Sequence, residues 1–220
     1  MAGPERAADS GGPRHVSPDE ALIHSWLGDY TFDGDDTDPL GRDFEYRPGE
    51  DSGVHADDPE AVARARQFRE VLGRFASGVA VVTGVDGDTP VGLTCQSFTS
   101  VSLDPPLVLF CPARTSRAWP LIWRSGSFCV NVLADDQVEI SDVMASRGAD
   151  KFAGLSWRPS EATGSPLLTG AAAYVDCSIT AVHEAGDHYV VIGRVQDLAV
   201  GEGVHGLTFH RGRYGSTGGV

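Results

Sequence analysis

The stretch from Pro90 to Trp123 constrains the fold of this 220-residue chain more than any other part of it. Residues 91–95 and 98–103 alternate apolar with small or hydroxylic side chains, which is the two-residue period of strands with one buried face. Residues 104–106 (Asp-Pro-Pro) force a turn, because proline fixes φ and lacks an amide donor. Residues 107–111 form a continuous apolar run of central-strand type. Three consecutive strands are therefore expected here.

The remaining elements are mostly extended, and two of the strands are long. The predicted strands are Gly78–Thr83, Ser127–Leu133, Ala171–His183, His188–Val200 and Leu207–His210 with Tyr214, the last of these closing the sheet. The predicted helices run from Ala61 to Phe75, opened by Pro59-Glu60, and from Asp135 to Ala145. Tight turns are expected at Asp86–Asp88 and Glu184–Asp187, and a loop at Gly164–Gly170. Seven or more strands with few helices predict a closed or nearly closed β-barrel with flanking helices.

Charge divides the chain into two parts. Residues 1–60 contain 16 acidic and four basic residues, whereas residues 61–220 contain 15 acidic and 13 basic residues. Because residues 1–16 and 33–60 also have few aliphatic side chains, they predict disorder. Ser17-Pro18-Asp19-Glu20 has the pattern of a helix start, which predicts a short apolar helix near 18–27. We therefore expect an acidic, largely disordered extension over 1–58 and a folded domain over 59–220.

Composition excludes several classes of partner and compartment. A near-neutral domain behind an acidic extension has no basic stripe for nucleic acid or an anionic membrane. Four cysteines stand far apart in apolar segments, so buried free thiols of a reducing compartment are expected rather than zinc ligands or disulfides. Neither an export signal nor a membrane span is indicated. These features predict a cytoplasmic protein that binds neither nucleic acid nor membrane.

Uncharged hydrogen-bonding side chains line the predicted strands of the 90–123 stretch. Hydroxyls and an amide recur along extended backbone, a surface suited to a flat polar ligand: Thr94, Gln96, Ser97, Thr99, Ser100 and Ser102. Thr115 and Ser116 then precede a predicted helix that begins near Arg117, so amide groups, hydroxyls and a guanidinium meet at one helix start. This arrangement predicts an anion site. The only lysine, Lys151, is expected to be a solvated surface residue.

Several ordered motifs resemble the flavin reductase family, the small reductase components of two-component flavin monooxygenases, which have an FMN-binding split-barrel fold. The matching segments are Thr94–Val108, Cys111–Ser116, Val130–Leu133, Lys151-Phe152, Gly186–His188 and Arg211–Tyr214. They keep their order from about Phe68 to Tyr214, and several ordered motifs are more specific than one. No G-x-G-x-x-G follows a predicted strand, so any nicotinamide would bind without a Rossmann domain.

The resemblance implies site residues, cofactors and partners. Thr94, Gln96, Ser97, Ser100 and Val101 would lie along the isoalloxazine and ribityl chain of FMN or FAD. The phosphate would be held by Thr115, Ser116, Arg117 and Arg147. His188, after Asp187 in the G-D-H motif, would lie near the nicotinamide of NADH or NADPH. Tyr214 would either cover the same mouth or, as an aromatic residue of the last strand, lie in the core. A homodimer and a separate flavin-dependent monooxygenase are the implied partners.

Three functions follow from these observations. The first is an NAD(P)H:flavin oxidoreductase that transfers a hydride to flavin and supplies reduced flavin to the monooxygenase. The second is a split-barrel oxidoreductase that retains FMN and acts on an organic substrate, and the third is a flavin-binding module without turnover.

Two further points stay open. His183 and His188 are expected to be cross-strand partners, and the extension would dock either on the oxygenase or on its own domain.

Overall fold

The computed structural model describes residues 58–146 and 150–218, which contain three helices and twelve strands. The helices are α1 (Pro59–Leu72), α2 (Trp119–Ser125) and α3 (Val138–Ala145). The strands are β1 (Ser77–Gly78), β2 (Ala80–Asp86), β3 (Thr89–Cys95), β4 (Thr99–Leu103), β5 (Pro106–Phe110), β6 (Ser127–Val132), β7 (Trp157–Pro159), β8 (Pro166–Leu168), β9 (Ala173–Ala185), β10 (His188–Val200), β11 (Leu207–His210) and β12 (Arg213–Ser216). The predicted extension, with its helix near 18–27, lies outside these residues. Among the helices described, none has the length and apolarity needed to cross a membrane.

Seven strands form one antiparallel sheet in the order β3-β2-β6-β9-β10-β5-β4. β3 and β4 follow each other in the sequence but lie at opposite edges of this sheet. The sheet nevertheless curls so that its two edges approach each other. This is seen in the amide of Cys111, just after β5, which donates to Ser97 Oγ, just after β3, at 2.8 Å. The result is a barrel that stays open between β3 and β4. The predicted mainly β split barrel with flanking helices is therefore confirmed.

The barrel interior is filled by aromatic side chains from separate elements. Phe110 of β5 packs edge-on against Phe128 of β6, with ring centroids 4.9 Å apart, and against Trp119 of α2 at 5.8 Å. The close approach of β10 requires Gly193, since a Cβ there would lie 2.4 Å from Phe128 Cζ. A register shift between Ile192 and Gly193 marks the same place. Packing of Gly193 against Phe128 thus limits how tightly the sheet can curl at β10.

A second apolar cluster joins the barrel to the remaining sheets. It contains Val81, Leu133, Met144, Phe152 and Leu168, all buried. Here two predictions were wrong. The segment predicted to close the main sheet forms a separate three-stranded sheet, β1-β11-β12, and the predicted 164–170 loop contains β8, which pairs with β7. The β1–β11 pairing joins Ser77 to Phe209, which local patterns do not indicate. β7 and β8 are close in sequence, but each has only three residues, too few for a clear alternating pattern.

Helix α1 differs from its prediction in length and in burial. It begins at Pro59, where Asp58 Oδ1 accepts a hydrogen bond from the Ala61 amide, and it ends at Leu72 rather than Phe75. None of its residues is buried. Phe68 is 65% exposed and Leu72 is 53% exposed. The periodic apolar face that predicted the helix therefore does not pack into the core that the described residues form.

The hairpin between β9 and β10 has a shorter turn than expected. Only Gly186 and Asp187 connect the strands, and Gly186 has a φ of 65°. In this register His188 lies opposite Ala185, and His183 lies opposite Val190. The predicted cross-strand pairing of the two histidines was therefore wrong, because it assumed a four-residue turn.

Candidate functional site

An open cleft of about 1390 Å³ runs along the outer edge of β3. Among the described strands β3 pairs only with β2, so its other edge has backbone groups outside the ladder, and β3 residues line the cleft. Eight of the twelve residues predicted for the site line this cleft: Thr94, Gln96, Ser97, Thr115, Ser116, Arg117, His188 and Tyr214. The fold therefore brings together residues that are up to 120 positions apart in the sequence.

Four predicted site residues are not placed along this cleft. Ser100 and Val101 lie on β4 with exposed side chains, and Asp187 lies in the β9–β10 turn, but none of the three is part of the cleft wall. Arg147 lies outside the described residues. The roles assigned to these four residues stay predictions.

Side chains at the end of β3 fix the shape of the cleft wall. Thr94 Oγ1 donates to the carbonyl of Ser141 in α3 at 2.6 Å, which uses the hydroxyl proton within the protein. Ser97 Oγ accepts from the Cys111 amide and lies 3.1 Å from Cys95 Sγ. Gln96 is exposed, and its Oε1 accepts from Ser77 Oγ at 3.4 Å. Thr94 and Ser97 thus shape the site, and Gln96 lines it with an exposed amide side chain.

The segment 111–118 leads from β5 into helix α2. The helix begins at Trp119 with Ala118 as its N-cap, two residues later than predicted. Ser116 lies before the helix, but its Oγ still accepts a hydrogen bond from the Trp119 amide at 3.2 Å. Thr115 and Arg117 are exposed on the cleft side. Ser116 is therefore not the N-cap residue of α2, although its hydroxyl accepts from the first turn of the helix. The exposed guanidinium of Arg117 is accessible to a ligand in the cleft.

His188 stands where the β9–β10 turn meets this same segment. Its Nδ1 lies 2.7 Å from Asp187 Oδ1, and this hydrogen bond lowers the pKa of Asp187. With Nδ1 donating to the carboxylate, Nε2 of a neutral imidazole is an acceptor. His188 also forms an isolated bridge with Ala113, and the Arg114 amide donates to the Asp187 carbonyl at 2.9 Å. The histidine is thus held against the 111–118 segment.

Lys151 differs from its prediction as a solvated residue. Its Nζ donates to the carbonyl of Met144 at 2.7 Å and to that of Gly92 at 3.3 Å, and it lines the cleft. Partial burial lowers the pKa of its ammonium group. An ammonium has three donors, and these two bonds leave one for a ligand. The K-F motif was the sequence signal that could have indicated Lys151 as a site residue. The carbonyls that accept from its ammonium group belong to β3 and α3, and the motif does not indicate them.

Tyr214 forms hydrogen bonds with helix α3. Its hydroxyl donates to Asp142 Oδ1 at 2.7 Å and lies 2.9 Å from Ser141 Oγ. Burial is the main cause of the raised pKa of this phenol. Phe209, which sequence reasoning missed, lies beside Tyr214 and also lines the cleft. The end of the cleft near α3 therefore has an aromatic wall.

The four cysteines are free. Cys129 and Cys177 are buried beside each other and beside Asp176, and burial raises the pKa of Cys177 to about 12. Cys111 lies half-buried in the cleft wall, where burial again raises its pKa. Thiols of this kind are poor nucleophiles at neutral pH, so they serve in packing.

Fold and cleft together define a class: a split β-barrel with an open cleft suited to a flat, anionic cofactor. The flavin reductase like domain matches residues 72–218 of the chain. The flavin-dependent monooxygenase reductase subunit HsaB of Rhodococcus jostii (strain RHA1) is 52% identical over 149 residues, which are 68% of this chain and 76% of that protein. The chain belongs to the flavin reductase family.

Solved structures agree with this assignment. A homologue of nitrilotriacetate monooxygenase component B from Mycobacterium thermoresistibile is 48% identical, with a TM-score of 0.68 over 71% of this chain and 88% of that one. The NADH:FAD oxidoreductase SgcE6 of Streptomyces globisporus C-1027, solved with NAD and FAD fragments, is 37% identical, with a TM-score of 0.64 over 72% of this chain and 93% of that one.

Proposed function

We propose that this chain is an NAD(P)H-dependent flavin reductase that supplies reduced flavin to a separate flavin-dependent monooxygenase. The observation that carries the proposal is the single cleft that gathers Thr94–Ser97, Thr115–Arg117 and His188 from three distant segments. The names of similar proteins support it, since HsaB is the reductase subunit of a monooxygenase and SgcE6 uses NADH and FAD.

The residues of the cleft fit a flavin nucleotide. The free edge of β3 offers backbone donors and acceptors, with Gln96 beside them, for the polar edge of an isoalloxazine. Thr115, Ser116 and Arg117 offer two hydroxyls and a guanidinium for a phosphate, a pairing that guanidinium geometry favours. Arg147 would add a second guanidinium. Ser100 and Val101 would flank the ring from β4.

The chemistry requires little acid–base work from the protein. A bound flavin accepts a hydride from the nicotinamide when the two rings are held in contact. His188 borders the cleft and is oriented by Asp187, so it would position the nicotinamide and accept a hydrogen bond at Nε2. Lys151 adds a cation to the wall beside Gly92. These groups bind and orient rather than react.

A homodimer belongs to the proposal. Large apolar side chains are strongly exposed at the end of β4 and near the end of β10: Leu103 is 95%, Val200 88% and Val204 86% exposed. A second copy of the chain would cover exposed apolar side chains such as these or those of α1. The cytoplasm is the proposed compartment because the four thiols are free.

One steady-state assay tests the proposed function. The purified chain is given FMN or FAD with NADH or NADPH, and nicotinamide oxidation is followed beside the loss of flavin on gel filtration. Rapid oxidation with flavin that leaves the protein supports the reductase. Retained flavin with slow oxidation would support an FMN-retaining oxidoreductase, and flavin binding without oxidation would support a binding module. Either of these results would contradict the proposal.

A further inference from the structure

Arg114 joins the 111–118 segment to the end of the β9–β10 hairpin. Its Nη1 lies 3.6 Å from Glu184 Oε2, and its Cζ lies 5.6 Å from the ring centroid of Tyr189. Glu184 and Tyr189 are register partners on β9 and β10, in the second pair from the turn. The guanidinium therefore contacts both strands of the hairpin close to its end.

The main chain around Arg114 also holds this end of the hairpin. The Arg114 amide donates to the Asp187 carbonyl, and the Tyr189 amide donates to the Pro112 carbonyl, each at 2.9 Å. Any residue except proline could supply the amide at position 114. The main-chain bonds therefore do not account for an arginine at this position, and its side-chain contacts need a separate explanation.

The ring of Tyr189 is a fixed surface for the guanidinium. Tyr189 is 1% exposed, and its ring packs in the core against Trp119, with centroids 6.2 Å apart. The side chains of Arg114 and Glu184 are 37% and 57% exposed, so their ion pair alone contributes little. A planar guanidinium over an aromatic face gains from cation–π attraction and stacking. Tyr189 therefore holds the guanidinium in place, and the guanidinium in turn holds Glu184.

The end of the hairpin extends beyond the strand beside it. Among the described residues, β5 pairs with β10 from Val191 to Arg194, so residues 188–190 lie past the end of this ladder. The 111–118 segment continues along the same side of β10 and forms a bridge from Ala113 to His188. The position of His188 therefore depends on how this segment holds the hairpin.

We propose that Arg114 is a positioning residue that fixes His188 for the nicotinamide. His188 borders the cleft, and its ring is oriented by Asp187 at 2.7 Å, whereas Arg114 does not line the cleft. Arg114 thus acts on the reaction through the hairpin end that carries His188. The inference rests on the proposed function, which assigns His188 to the nicotinamide. A small displacement of a group that aligns two reacting rings lowers the rate strongly.

The test replaces Arg114 with methionine, which keeps a long unbranched side chain but removes the guanidinium. Arg124→Met is the matched control, because Arg124 is exposed and paired with Asp86 at 2.9 Å but does not line the cleft. We expect Arg114→Met to lower kcat/KM for NADH about fivefold, which is about 1 kcal/mol and the scale of an exposed cation–π contact. The dissociation constant of FMN should not change. Arg114→Lys should recover only part of the loss, since an ammonium group lacks the planar stacking of a guanidinium.

A double-mutant cycle shows whether Arg114 acts through His188. In a His188→Ala chain, Arg114→Met should cause no further fall in kcat/KM for NADH, because two residues that act through one contact are not additive. An equal fall with and without His188 would overturn the inference. A selective loss of FMN affinity relative to riboflavin in Arg114→Met would also overturn it, because Arg114 would then be a phosphate ligand.

A readout without turnover separates this inference from the proposed function. In the full chain with isotope-labelled histidine, nuclear magnetic resonance distinguishes the two tautomers of a neutral imidazole, and His188→Ala assigns the His188 signal. The hydrogen bond to Asp187 favours the proton on Nδ1, and Arg114→Met should shift the proton towards Nε2. An unchanged tautomer ratio would contradict the inference even if kcat/KM falls.

Glu184→Gln provides a second variant in case Arg114→Met does not fold. It removes the charged partner of Arg114 but keeps the shape of the side chain, so a smaller tautomer shift in the same direction is expected, and no shift would count against the inference. If the wild-type chain reduces no flavin but the ratio still shifts, the proposed function fails while the link between Arg114 and His188 stands.

Discussion

Replacing Arg117 with alanine tests whether the 111–118 segment holds the flavin phosphate. Arg117 lines the cleft with an exposed side chain. A hydrogen bond to a charged group contributes about 1.5–3 kcal/mol. Because solvent screens an exposed guanidinium, the lower end of this range applies. At 1.4 kcal/mol per factor of ten, FMN affinity should fall about tenfold, and riboflavin affinity should not change, since riboflavin has no phosphate.

The assay is a titration of the apoprotein by flavin fluorescence, with FMN and riboflavin compared for each variant. Arg124→Ala is the control, because Arg124 is exposed and paired with Asp86 at 2.9 Å but does not line the cleft. Ser116→Ala and Arg147→Ala should give the same selective loss, and the loss for both arginines should shrink as salt is raised. Equal losses for FMN and riboflavin in Arg117→Ala would refute the phosphate assignment.

Four other predictions follow. His188→Ala should slow flavin reduction or raise KM for NADH while flavin affinity stays near the wild-type value; stopped-flow reduction at wild-type speed and nicotinamide dependence would contradict this. Gly193→Ala should lower the free energy of unfolding by about 1–3 kcal/mol or more, because its Cβ would lie 2.4 Å from Phe128 Cζ; urea denaturation measures this, with Gly78→Ala as the control, since a Cβ there has nothing within 4 Å. Leu103→Asp should shift the chain from dimer to monomer in light scattering, and an active wild-type monomer would refute the dimer. Deleting residues 1–57, which keeps the Asp58 cap of α1, should leave flavin reduction and melting temperature unchanged but reduce transfer of reduced flavin to the oxygenase in a salt-sensitive way; a large loss of stability would instead place the extension in the fold.

Lys151 and Phe209 show why part of the site could not be predicted. Nothing in the sequence around Lys151 indicates that its ammonium donates to carbonyls of β3 and α3, since both acceptors are backbone atoms that any residue carries. Phe209 has the pattern of an ordinary strand residue, and its place on the cleft follows from the pairing of β11 with β1. Ser97, Arg117 and His188 lie in distinctive motifs, which is why the sequence predicted them for the site, and all three line the cleft.

The sequence alone determined the local elements of this protein and, through its ordered motifs, its family. The alternation in β3 and β4, the turn at Gly87 and the Asp-Pro-Pro turn before β5 are short-range properties of the chain, and the structure has them where the sequence predicts them. Tertiary structure decided which strands pair across long distances, which face of α1 stays unburied and which polar atoms meet in the cleft. These depend on how closely the sheet can curl around Phe128 and Gly193, and contacts between residues far apart in the chain set that curvature.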